Sequence, residues 1–128
     1  GTTGAPVRIR LALVLALALS ACGGAADHQG DESLQATLRL SPTPPMVGEA
    51  GVGVQVTDGG IGLLPPAEVT VAVRGASGPP ESLRFEGGSW VGILDFPSPG
   101  DVRVDVKITT PDGRTATLGL PVRVVRRP

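Results

Sequence analysis

The stretch Val102-Arg-Val-Asp-Val-Lys-Ile108 puts an aliphatic residue at every second position, with Arg103, Asp105 and Lys107 between them. Successive side chains of an extended chain point to opposite faces, so this spacing buries one face and wets the other. That is the pattern of a half-buried β-strand, since a helix needs apolar positions three and four apart. Downstream, Ala116, Leu118, Leu120, Val122 and Val124 resume the period after Thr110-Pro-Asp-Gly113. That tetrapeptide predicts a hairpin turn, because Pro111 pre-sets φ, Asp112 bonds back to the backbone and Gly113 accepts a positive φ. Pro121 cannot donate to a ladder, which places its strand at an edge or a bulge.

Working upstream, the same alternation predicts strands over 34–40, 52–57 and 69–73, a short one at Leu83 and Phe85, and a fifth over 90–96. If 97–100 closes a hairpin onto the Val102 strand, Asp95 falls opposite Arg103. Nineteen Gly and thirteen Pro make up a quarter of the 128 residues, which excludes long helices and calls for closely spaced turns. Seven short strands, each apolar on one side, cannot bury those sides in one layer, so two sheets must close over a core about 10 Å thick. The expected fold is all-β: a seven-stranded, immunoglobulin-like antiparallel sandwich over 34–128, after an N-terminal lipoprotein signal segment. No cysteine pair is available to bridge the sheets, and Trp90 lies on the fifth strand, so an antibody-type domain is not indicated.

The N-terminus reads as an address. Arg8 and Arg10 precede Leu11-Ala-Leu-Val-Leu-Ala-Leu-Ala-Leu19, which runs into Ser20-Ala21-Cys22. Nine apolar residues make roughly 13 Å of helix against a hydrocarbon core of about 30 Å, too short to span but suited to a signal peptide. Leu19-Ser-Ala-Cys22 resembles a bacterial lipobox, and that resemblance implies cleavage after residue 21 and acylation of Cys22 with a diacylglycerol and a palmitate-like chain. Residues 22–33 lack apolar periodicity and read as a flexible lipid-anchored tether. A dozen such residues reach roughly 19 Å, enough to lift a small domain clear of the headgroups. The expectation is therefore a lipoprotein of the cell envelope, held by membrane lipid outside the cytoplasm. Gly23, after Cys22, is not acidic, and in an envelope with two membranes the resemblance to known lipoprotein sorting implies the outer membrane or the periplasmic face.

Pro44-Pro-Met-Val-Gly48, Val52-Gly-Val-Gln-Val-Thr-Asp58 and Pro66-Ala-Glu-Val-Thr-Val71 resemble the opening of the YtkA-like domain family. Gly88-Ser-Trp-Val-Gly92, Phe96-Pro-Ser-Pro-Gly100 and Val102-Arg-Val104 look like its second half. The resemblance covers roughly residues 36–109 and implies an extracytoplasmic immunoglobulin-like sandwich, with copper handling or respiratory-complex assembly among some relatives. Where family members often carry Met or His, this chain has Gly75-Ala-Ser-Gly-Pro-Pro-Glu-Ser82.

Composition narrows the function. Eleven basic against twelve acidic residues give a net charge of −1, with no basic field for nucleic acid, and 2% aromatic residues leave little to stack bases on. Copper needs soft or imidazole donors, and the chain holds one Met (Met46) and one His (His28) beside the lipidated Cys22, so neither a metal nor another cofactor is expected. His28, in the tether, is remote from any nucleophile, and Asp95 and Asp105, if they share an outward face, sit beside Arg103 and Lys107 as a salt-bridged surface. The expectation is no enzyme but a display module with an envelope protein as partner. Its contact surface is sought at Val91 and Ile93, apolar where an outward face should be polar unless tether or loop covers them, and at the loops 58–66 and 75–81. The alternative is copper or small-ligand handling with a partner that supplies the missing donors.

Overall fold

The computed structural model describes residues 26–127, so the signal segment and Cys22 lie outside the described residues. The described chain is all-β, with ten strands: β1 (Asp27–Gly30), β2 (Leu34–Ser41), β3 (Gly48–Asp58), β4 (Ile61–Gly62), β5 (Glu68–Val73), β6 (Glu81–Ser82), β7 (Arg84–Glu86), β8 (Ser89–Phe96), β9 (Gly100–Thr109) and β10 (Thr115–Val124). They form two antiparallel sheets, one ordered β1-β10-β9-β5-β6 and the other β2-β3-β8-β7, with the two-residue β4 beside β3.

Six of the seven expected apolar runs are strands; the fourth is broken at Leu83, which lies between β6 of one sheet and β7 of the other, so that only Phe85 of that run is in a strand. The count rises to ten because β4 and β6 are two-residue pairings beside longer strands, and because β1 forms where a tether was expected. Backbone pairing and charge, not periodicity, hold β1. Its register runs from Asp27 opposite Gly119 to Gly30 opposite Ala116, and the Asp27 carboxylate meets Arg74 at 3.0 Å and Arg103 at 3.5 Å. Gly119 makes that approach possible, since a Cβ there would collide with Asp27 and Arg74.

One core fills the space between the sheets. Val104, Val106 and Ile108 of β9 are fully buried, and so are Val69 and Val71 of β5; they face Val54 of β3 and Phe96 of β8 within a single apolar cluster. The turn after β9 forms as read: Gly113 donates its N–H to Thr110 O at 3.0 Å with φ of 90°, and the buried Thr110 hydroxyl accepts from Arg114 N at 2.9 Å.

The expected hairpin across 97–100 does not form. β8 pairs with β3 and β7 while β9 pairs with β10 and β5, so the segment carries the chain from one sheet to the other. Asp95 consequently lies opposite Glu49 and not Arg103, and Asp95 and Asp105 occupy different sheets. A Pro/Gly cluster dictates a reversal of direction, and hairpin and crossover both satisfy that.

Trp90 packs edge-on against Phe85, its cross-strand partner, with ring centroids 5.2 Å apart, and its buried indole N–H has no hydrogen-bond partner. The indole thus contributes volume and contact but no hydrogen bond. Trp90→Phe is expected to cost roughly 1–2 kcal/mol and Trp90→Ala about 3–5 kcal/mol in urea unfolding. Equal losses would show that the N–H is engaged after all.

Candidate functional site

The two sheets do not close equally on all sides. β2 is an edge of its sheet, and among the described residues β1 covers β10 from Ala116 to Gly119, so that Leu120–Val124 has a strand partner there on the β9 side alone. Pro121 falls on this uncovered length, which agrees with the edge position its missing N–H requires, and the β9 ladder runs through it unbroken. The inward-pointing residues beside this opening, Leu38 and Leu40 of β2 and Leu120 and Val122 of β10, are only half-buried, whereas Val54, Val52 and Val104, opposite the first three, are sealed; Val102, opposite Val122, is itself half-buried.

A groove of about 1110 Å³ follows this opening on both sides of β2. Its inner part is lined by Leu38, Leu40, Leu120 and Val122, and its outer part by Gly51, Gly53 and Val91. One end is closed where Val47 N donates to Val125 O (3.1 Å) and Val125 N to Pro45 O (2.9 Å); Ala26 lines the groove near β1. Arg39 and Arg123 are the only charged residues among the described ones that line it.

Val91 and Ile93 point to the same outer face of β8 but open onto different hollows. Val91 is half-buried in the β2 groove opposite Gly53. Ile93 is 53% exposed and lines a separate cleft of about 390 Å³ with Ser77 and Pro79 of the 75–81 loop. Of the other candidate loop, 58–66, Ile61 and Leu64 project into solvent at the opposite end of the sheets. The expected contact surface is thus divided among three places, and its largest concavity, at β2, was not visible in the sequence. The only trace there was Gly51 and Gly53, two glycines in the middle of a strand.

Those glycines are not required by packing. A Cβ at Gly53 would meet nothing within 4 Å and one at Gly51 would make only ordinary contact with Ser41, and neither has a positive φ. Glycine inside a strand is destabilising, so their effect is to keep a trough open between Arg39 and Val91, which flank Gly53 in register. Gly53→Thr is expected to raise stability by about 0.5–1 kcal/mol in urea unfolding. A loss would mean that the backbone there needs glycine.

Two ion-pair networks fix the frame around the groove. Arg74 joins Asp27 to Asp105, at 3.0 and 2.6 Å, and holds the Asp27 carboxyl below its ordinary range; Arg74 itself is raised above the usual arginine value by Asp105 and Asp27. At the far end Arg114 reaches Asp58 at 2.6 Å, Asp112 at 3.0 Å and Asp31 at 3.3 Å, and so pins the β9–β10 turn to the end of β3 in the other sheet. Asp58 is lowered chiefly by the Arg114 hydrogen bond, Asp112 by the Thr110 hydroxyl and then Arg114, and Asp31 by Ser33 before Arg114. A carboxyl whose folded pKa lies below its ordinary value near 3.8 contributes stability above that value and loses it as pH falls through the folded pKa. Arg114→Met is therefore expected to lower the urea midpoint at neutral pH and flatten its decline below pH 4. An acid limb unchanged in the variant would remove Arg114 as the cause.

Met46 and His28 are not brought together. Met46 forms a parallel bridge with Val125, while His28 sits in β1 opposite Leu118, half-buried, its Nε2 3.0 Å from Asp31 O. Among the described residues no group of three or more His, Cys, Asp or Glu could hold a metal ion. No family model matches the chain, and neither a curated protein nor a solved structure does.

Proposed function

We propose that the chain is a non-enzymatic, lipid-anchored protein of the cell envelope whose immunoglobulin-like sandwich presents a contact surface to another envelope protein. The observation that carries this reading is the long apolar groove astride β2, lined by hydrophobic side chains that a self-sufficient sandwich would cover. Strand order supports the sandwich type. If β2, β3, β5, β6, β7, β8, β9 and β10 are lettered A, B, C, C′, D, E, F and G, the sheets read A-B-E-D and G-F-C-C′, with β1 added beside G. The YtkA-like resemblance, whose residues span β3, β5, β8 and β9, agrees with it.

The anchor is Cys22, four residues before Ala26 at the groove. The register of β1 on β10 runs from Gly30 at Ala116 back to Asp27 at Gly119, so the chain enters the fold from the Val124 end of β10. Acylation at Cys22 would therefore tether the domain on the side from which the groove opens. Expressed with its signal segment in a bacterium with a lipoprotein pathway, the mature chain is expected to begin at Cys22 and to carry diacylglyceryl and acyl mass increments by mass spectrometry. Cys22→Ser should leave the membrane fraction. An uncleaved chain, or an unmodified thiol, ends the lipoprotein reading.

A further inference from the structure

We propose that the β2 groove receives an extended segment of a partner protein that adds to the free edge of β2 with alternating apolar and acidic side chains, the apolar ones pointing inward between the sheets. Among the described residues, the edge of β2, and that of β10 between Gly119 and Val125, offer backbone N–H and C=O groups with no strand beside them, and both border the same apolar slit. A peptide strand pairs those groups while its inward side chains cover Leu38, Leu40, Leu120 and Val122. A fatty-acyl chain would cover the same side chains but strip water from the backbone groups without replacing their hydrogen bonds, which is costly.

Charge selects among peptide occupants. Arg39 and Arg123 line the groove with no carboxylate beside them in its wall; Arg123 pairs with the exposed Asp101 at 3.1 Å, and Arg39 has no ion-pair partner among the described residues. A second copy of this chain docking through the same face would bring Arg39 and Arg123 against their own kind, which disfavours self-association. The residues just before β1, Gly23-Gly-Ala25, have no side chain large enough to fill the slit. A foreign strand with apolar residues at every second position and acids between them satisfies the edge, the slit and the arginine together. The inference rests on reading the chain as a contact module.

The test uses the acylated chain in nanodiscs of zwitterionic lipid, or in buffer should it prove unacylated, so that failure of the anchor and failure of the groove are read separately. The probe is a fluorescein-labelled peptide, Val-Asp-Val-Glu-Val-Asp-Val, compared with Val-Val-Asp-Glu-Asp-Val-Val of the same composition. Saturable anisotropy is expected for the alternating peptide alone, with amide exchange slowed over 34–41 and 120–124. Arg39 is exposed, so Arg39→Glu should fold normally and weaken binding by about tenfold or more, with Arg39→Lys retaining most of it. Equal binding of the two peptides, no slowed exchange at β2, or indifference to Arg39→Glu overturns the inference. So do dodecanoate binding in the peptide's place and a dimer that protects β2 without peptide, which assign the groove to a lipid or to a second copy.

Discussion

The structure depends on the closure of two sheets over aliphatic side chains that arrive every second residue, with no covalent link between the sheets among the described residues. The sole cysteine, Cys22, lies outside them. Val104, Val106 and Ile108 of β9 and Val54 of β3 are completely removed from water, so these central strands carry most of the hydrophobic stabilisation. A strand shifted by one residue would turn its valines outward and its charges inward, and this penalty fixes register more strongly than any ion pair here. The Arg114 and Arg74 networks act later in the hierarchy. They are partly exposed and worth little each, but they decide where the peripheral pieces attach to a core already closed.

How much of this could be read from the residues follows from the same distinction. Alternation is local, so the apolar runs from Leu34 to Val124 were legible except at Leu83, where the chain passes between sheets, and so were the Thr110–Gly113 turn and the edge position of Pro121. Sheet membership is not local. Whether β8 turns back onto β9 or crosses to the other sheet depends on which arrangement lets Leu94 and Phe96 meet the valines of β5 and β9, and Pro97-Ser-Pro-Gly100 permits either. β1 was illegible for a further reason: Asp27 reaches Arg74 and Arg103, residues whose proximity exists only after β5, β9 and β10 have assembled. The groove lies between the edges of β2 and β10, strands of different sheets, so it inherits the illegibility of sheet membership.

Val91 and Ile93 illustrate the limit of pattern reading at a site. Two apolar residues on an outward face signalled something unusual, and each does border a hollow, but the sequence could not say that the hollows differ. The difference is set by the neighbours: Gly53 and Arg39 beside Val91, and the 75–81 loop beside Ile93. A glycine in a central strand is weak evidence alone. Two of them on one face, neither sterically required, indicate that a smooth surface is worth a loss in strand stability.

An exposed strand edge is a hazard as well as an opportunity, because any extended chain can pair with it. Here the same features answer both problems. Pro121 removes a donor on the uncovered length of β10, and Arg39 and Arg123 place positive charge along the groove, which repels another copy of the chain while admitting an acidic strand. An edge built only to avoid aggregation would be capped by β1 continuing along β10 or by a large side chain at Gly53. Neither is present along Leu120–Val124 among the described residues, and the half-buried leucines that remain there have no structural need to stay uncovered. Selective access to the β2 edge accounts for the arginines and the glycines with one cause.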